Sequence, residues 1–241
     1  MKEQDGDITN QYLACESRVI FELLMMSSGM MGAYTMILRG GVFCNAQTAN
    51  FVLMAIELGN GNWSKGFYYL IPITAYLMGA IMSELLPNPI KKIGLFRWDT
   101  YLIGFELIVL LIIGFIPLTV TDKVVQVAIN FICSMQYNTF RQAQGIPMST
   151  TFCTNHLRQI GISIAKYLRK GDKSLLKKGK THTLMLSSFI MGAIILASAC
   201  NILKEKAIWI AMIPLFINLC ILVYADLIQE RHLLERTPLG H

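Results

Sequence analysis

Charge is what this chain has least of. Asp, Glu, Lys and Arg together make up 15% of its 241 residues, too few to keep the surface of a folded domain of that size in water. An ordinary soluble globular protein is therefore excluded. Metal and redox spacings are missing as well: Cys15, Cys44, Cys133, Cys153, Cys200 and Cys220 form no CxxC and pair with no histidine at ligand spacing, so they read as small apolar packing residues. No Gly-x-Ser-x-Gly, no phosphate loop and no metal-spaced histidine pair occurs. This argues against an ATPase, a hydrolase or a metalloenzyme; no enzymatic activity, cofactor or metal is expected. Residues 1–17, with Asp5 and Asp7 and no basic cluster leading to a small-residue cleavage site, do not read as a removable signal.

What is present is hydrophobicity, 54% of the residues with a mean hydropathy of +0.50. A bilayer core needs about 20 mostly apolar residues per helix. Phe67 to Leu86, Thr100 to Val120, Leu184 to Leu203 and Ala207 to Tyr224 qualify. Val19 to Leu38 and Val124 to Phe140 are less pure, the latter carrying Gln126, Asn130, Gln136 and Asn138, and are read as two further spans. Two more segments, Ala46 to Leu58 and Thr151 to Leu168, are short or amphipathic and are expected as re-entrant or half-spanning helices. The fold class is thus an all-α polytopic membrane bundle of six full spans plus two amphipathic helices, with eight spans as the alternative.

With the amino terminus inside, six spans leave only Arg39, Lys65, Lys123, Lys204 and Lys206 outside and gather the other basic residues on the cytoplasmic face, as the positive-inside rule demands. The cluster from Lys166 to Lys180 therefore reads as a topology signal beside anionic lipid rather than a nucleic-acid surface. Both termini are expected in the cytoplasm of a bacterial plasma membrane.

The chain also repeats itself. Thr48-Ala49-Asn50, an amphipathic helix, a turn at Gly61 and Leu77-Met78-Gly79-Ala80-Ile81 recur as Thr154-Asn155-His156, a helix, a turn at Gly171 and Ile190-Met191-Gly192-Ala193-Ile194. Three spans per half make the halves inverted, a transporter design in which broken helices meet at a wet interface. The organisation follows: a tail at 1–17, repeats at 18–120 and 121–226, and a tail at 227–241.

Candidate site residues lie on the two broken segments. In the first, Gly40 and Gly41 permit a sharp turn, and Asn45, Gln47, Thr48 and Asn50 offer neutral donors and acceptors. In the second, Gln136, Asn138 and Arg141 run into Gly145-Ile146-Pro147 and then Thr151, Thr154, Asn155 and Arg158. These groups either bind a solute, the arginines gripping an anion, or cross-link helices and anchor the membrane boundary. Glu106, inside an apolar span, and His156, with an ordinary imidazole pKa of about 6.5, are the candidates for proton coupling. Glu22, four residues after Arg18, has the spacing of an ordinary ion pair.

These motifs resemble the YoaK family of bacterial membrane proteins, defined by a domain of unknown function. The resemblance covers nearly the whole chain and is carried by Ala33-Tyr34-Thr35, Arg39 to Phe43, Asn45 to Asn50, Gln136 to Arg141 and Thr150 to Arg158. It departs at Gly32, where the family usually has an acidic residue, at Ala49, where it has glycine, and at Asn155-His156, where it has Gly-Asn. The flavour of the motifs is similar to Gram-positive versions. The resemblance implies a membrane protein presumed to transport.

The expected function is a small secondary transporter or exporter with its solute between the two polar segments; a second copy of the chain is expected where six spans do not enclose a path. The alternative is a non-transporting membrane subunit whose Lys166 to Lys180 segment docks a partner protein.

Overall fold

Ser17, in extended conformation, caps an uninterrupted helix by accepting from the Ile20 amide. That helix, α1 (Arg18–Leu38), ends where Gly40 and Gly41 take consecutive left-handed conformations (φ +72° and +69°), which only glycine adopts without strain. The computed structural model describes residues 12–238. After that turn come α2 (Gln47–Gly59), α3 (Trp63–Tyr68), α4 (Leu70–Leu85) and α5 (Pro87–Lys91), then α6 (Trp98–Ile113) and α7 (Asp122–Thr139). A two-residue hairpin, β1 (Gln142–Ala143) and β2 (Ile146–Pro147), follows, an element the sequence reading did not anticipate. Its loop, Gln144 and Gly145, has positive φ at both positions, the geometry that matches strand twist.

A left-handed Gly171 closes α8 (Thr154–Lys170), and Asp172 caps α9 (Lys173–Leu203) by accepting from the Ser174 amide. A 3-10 turn at Lys204–Ala211 leads into α10 (Met212–Tyr224), which runs into a π turn at Ala225–Gln229. Each apolar window of the sequence contains a helix, although the one from Thr100 to Val120 is helical only as far as Ile113; among the described residues three segments, Arg18–Leu38, Trp63–Lys91 and Lys173–Gln229, are long and apolar enough to cross a membrane. The surface carries Leu77, Ile108, Ile112, Ile194, Ile213 and Phe216, all exposed, while Asn45, Asn50, Gln126, Asn130 and Gln136 are fully buried. Apolar outside and amide inside is the distribution that a hydrocarbon solvent selects.

Helices pack closely where glycine replaces bulk. A Cβ on Gly192 would lie 2.1 Å from the Met26 carbonyl oxygen, so the backbones of α9 and α1 touch there. Farther along, Tyr34 donates to the Glu205 carbonyl, so the two helices run in the same direction. Likewise a Cβ on Gly79 would lie 2.4 Å from the Phe131 carbonyl oxygen. Tyr68 bonds Gln126 at one end and Ser83 bonds Asn138 at the other, so the segment through α4 runs parallel to α7. The remaining pair, α6 and α10, is antiparallel: Trp209 donates to the Leu111 carbonyl at one end, and Arg97 and Thr100 bond Asp226 at the other. Each of these six helices therefore pairs closely with one from the other half of the chain, whereas α8 packs along α9 of its own half.

Candidate functional site

The broken segment between α1 and α2 turns back into the bundle, and its amides are used at once. Asn45 donates to the Ser28 carbonyl of α1 at 2.7 Å, in space left by Gly32, whose Cβ would lie 3.1 Å from the Asn45 side chain. Gln47 donates to Asn130 of α7 at 2.9 Å and accepts from Asn50, which also donates to the Phe43 carbonyl. Thr48 is exposed on the outer face of α2. From the second half, Gln136 donates to the Ser28 hydroxyl at 3.0 Å and to the Thr150 carbonyl at 3.4 Å. Ser28 is thus where the two halves meet, its carbonyl taken by Asn45 and its hydroxyl by Gln136. Thr151 is buried beside this junction, with Tyr76 of α4 reaching toward it.

Polar atoms are left over in this region. The Gln136 Oε1, Asn50 Oδ1, Ser134 Oγ and Thr150 Oγ1 atoms are buried without partners. So are both carboxyl oxygens of Glu106, which is fully buried on α6 and within electrostatic reach of Cys133. Cys133 in turn lies beside Cys44, whose thiol donates to Asn45 at 2.9 Å. A carboxyl group therefore stands near the amide cluster with both oxygens open.

Other predicted residues are placed elsewhere. Asn138 and Arg141 both bond Glu84, and Asn138 also donates to Ser83. They flank a cavity of about 460 Å³ lined by Glu84, Asn88, Lys91, Arg97, Trp98 and Arg231 among others. None of Asn45, Asn50, Gln136 or Thr151 lines it; these side chains lie within the bundle, while the cavity opens at the ends of α4, α5 and α6. On α8, Thr154 and Arg158 are exposed, and Arg158 only reaches back to Asn155 on its own helix. The sequence reading put these three on a face lining a polar interior. The reason they do not line one is that α8 buries only His156 and Ser163 and packs along α9. His156 is fully buried against His182 of α9.

Two buried ionic centres escaped the sequence reading. Arg39, counted there as an outer-face charge, is fully buried: Nη2 donates to the Ile116 carbonyl at 2.5 Å, Nη1 to Pro117, and both Nε and Nη2 to the Tyr34 hydroxyl, with Asp122 3.9 Å away. Arg97 is held by Asp226 at 3.1 Å and Glu230 at 2.5 Å. Nearby, burial first and Asp99 second hold the Cys15 thiol well above its ordinary pKa. Ser28, Gln126, Asn130 and His182 were the other omissions. Gln126 and Asn130 sit four apart on one helix face, a visible signal; a serine in an apolar helix and a histidine at the edge of a basic run carry none. Glu22 pairs with Arg18 as its spacing predicts.

A family model described as a protein of unknown function, DUF1275, matches residues 20–221. No curated protein and no solved structure matches the chain.

Proposed function

From the premise that the chain belongs to the DUF1275 family of proteins of unknown function, we propose that it is a small secondary transporter or exporter of the bacterial plasma membrane. Its solute is a small polar or anionic metabolite. The observation that carries this reading is Glu106: a fully buried carboxyl group with both oxygens unpartnered, linked through Cys133 and Cys44 to the Asn45 amide of the first broken segment. An intramembrane acid is costly to keep without a partner and marks ion or proton pathways. The role assigned to it is to receive the coupling ion or proton, while Asn45, Gln47, Asn50, Gln136 and Thr151 rearrange around the solute. Asn138, Arg141 and the adjoining cavity form the cytoplasmic approach.

Six passes, with both tails inside, are part of this proposal. In that topology α1, α6 and α9 rise outward while α4, α7 and α10 return. The parallel packing of α1 with α9 and of α4 with α7, and the antiparallel packing of α6 with α10, support it. Reversing direction and exchanging halves maps the first of these pairs onto the second and the third onto itself, which supports an inverted repeat of 18–120 and 121–226. The bundle is read as non-enzymatic and free of cofactors.

The test is a thermal-shift screen of detergent-purified protein against polar metabolites and ions, followed by uptake into proteoliposomes. A ligand of the folded state raises the melting temperature by mass action. A compound should stabilise the wild type by several degrees, lose that effect in Asn45→Ala, and be moved by a pH or ion gradient in wild type but not in Glu106→Gln. Absence of any stabilising compound and of any gradient-driven flux would sink the proposal.

A second reading has its own support. The basic stretch from Lys166 to Lys180 is largely exposed where α8 meets α9, and this surface suits docking of an acidic partner protein by a membrane subunit that transports nothing. Recovery of one stoichiometric partner, lost when Lys177, Lys178 and Lys180 become Gln, favours this alternative.

A further inference from the structure

The histidines of α8 and α9 form a pair whose protons can be counted. His156 Nδ1 lies 3.0 Å from His182 Nδ1, and His156 Nε2 lies 2.8 Å from the Ser149 carbonyl oxygen. Both side chains are fully buried. A carbonyl oxygen only accepts, so His156 Nε2 bears hydrogen. The two facing Nδ1 atoms share one hydrogen, since two would collide and none would oppose two lone pairs. His182 Nε2, buried and without a partner, is then the single open position: bare when the pair is neutral, protonated when the pair carries one positive charge.

We propose that His156 and His182 form a binding site for one proton, loaded at His182 Nε2, that fastens the first turn of α8 to α9 when neutral and loosens it when charged. Among the described residues, the surroundings give the added charge nothing to pair with. On α9 the charge whose field reaches His182 is Lys178, of the same sign. The charged residues of α8, Arg158, Lys166, Arg169 and Lys170, are all cations and all exposed. Along α1, which packs on α9, no charged residue stands between Glu22, paired with Arg18, and Arg39. From the segment before α8 the pair meets the Ser149 carbonyl, already engaged. A buried cation without a carboxylate is unfavourable.

The element that yields is α8. Its buried attachments are His156 and Ser163, the latter against Gly179 of α9. Movement there has a route inward: His156 holds the Ser149 carbonyl, and the next carbonyl, of Thr150, holds Gln136. The pair therefore connects proton binding on this side of the bundle to the junction at Ser28. The inference goes beyond the transport reading and stands without it, because it concerns proton uptake by the protein alone.

The experiment uses full-length protein labelled with nitrogen-15 at histidine, titrated from pH 8 to pH 4.5 by NMR, with backbone hydrogen exchange of residues 149–162 followed in parallel. The histidine signals are assigned with His156→Gln and His182→Gln. The expected result is one shared protonation step for the pair, seen first at His182 Nε2. Exchange of 149–162, corrected for its intrinsic pH dependence, should quicken at least tenfold through that step. In His182→Gln that acceleration is lost. Lys178→Gln leaves both rings in place and removes a like charge, so the step should move to higher pH. Two independent one-proton steps, exchange unaffected by pH, or a step unmoved in Lys178→Gln would each overturn the proposal.

Discussion

Gln47 donates to Asn130 across 2.9 Å, a bond that ties the start of α2 to the middle of α7 over 83 positions of sequence. Amide pairs of this sort inside membrane bundles contribute about 0.6 to 2 kcal/mol each. A double-mutant cycle with Gln47→Ala and Asn130→Ala should return a coupling energy in that range by reversible unfolding in mixed micelles. The same cycle between Thr48 and Asn130 should return none, because Thr48 is exposed.

The close crossings predict an asymmetry among glycines. Gly192→Leu and Gly79→Leu press a side chain into the Met26 and Phe131 backbones, which cannot retreat, and both should lower the yield of monodisperse protein severely. Gly104→Ala, where nothing lies within 4 Å of the added carbon, should leave the melting temperature unchanged or slightly raised, since alanine favours helix by about 1 kcal/mol.

Arg97 and its two acids test the value of a buried ionic cluster. Removing one partner strands a buried charge, a loss of about 3 to 5 kcal/mol, so Arg97→Met should destabilise more than Asp226→Asn. In the latter, Glu230 still pairs with the guanidinium. Denaturant midpoints at constant slope would measure both.

Thiol labelling reports the solvent on the outside. Cys220 is exposed on α10, while Cys15, Cys44, Cys133 and Cys200 are buried. In native membranes Cys220 should react with lipid-soluble maleimides and resist charged ones; equal reactivity toward both would place α10 in water. Cys15 should resist both at neutral pH, because burial and Asp99 keep it as the thiol.

Asp172 offers a pH-dependent readout at the turn between α8 and α9. Its carboxyl pKa is lowered by the Ser174 amide that it accepts from. A lowered carboxyl pKa contributes stability above its unfolded value, and that contribution fades as pH falls through the folded one. Asp172→Ala should therefore melt below wild type at pH 7, and the gap should close as the solution is acidified below the ordinary carboxylate range.

Much of this molecule was legible without coordinates, for reasons that can be named. Hydrocarbon imposes one constraint on every residue of a span, so six apolar windows and two amphipathic ones identify eight helical stretches by composition alone. The turn at Gly40-Gly41 was equally plain, because consecutive left-handed residues call for glycine. Asn45, Asn50 and Gln136 stood out as amides in apolar surroundings, and they are buried together. Arg158 misled the reading: four residues after Thr154 on a polar face, it fits a lined cavity as well as a surface, and spacing within one helix does not say what that face meets.

The sequence by itself determined that the chain is helical, that its outer surface is apolar and where its backbone breaks, since these follow from local composition and from glycine's freedom at φ. Tertiary structure alone decided which helices are partners, that Ser28 joins the halves, that Arg39 and Arg97 are buried, and that His156 faces His182. Those contacts link positions from 5 to more than 130 residues apart. They depend on how glycine-lined crossings bring backbones together in three dimensions, information that no local pattern in the chain carries.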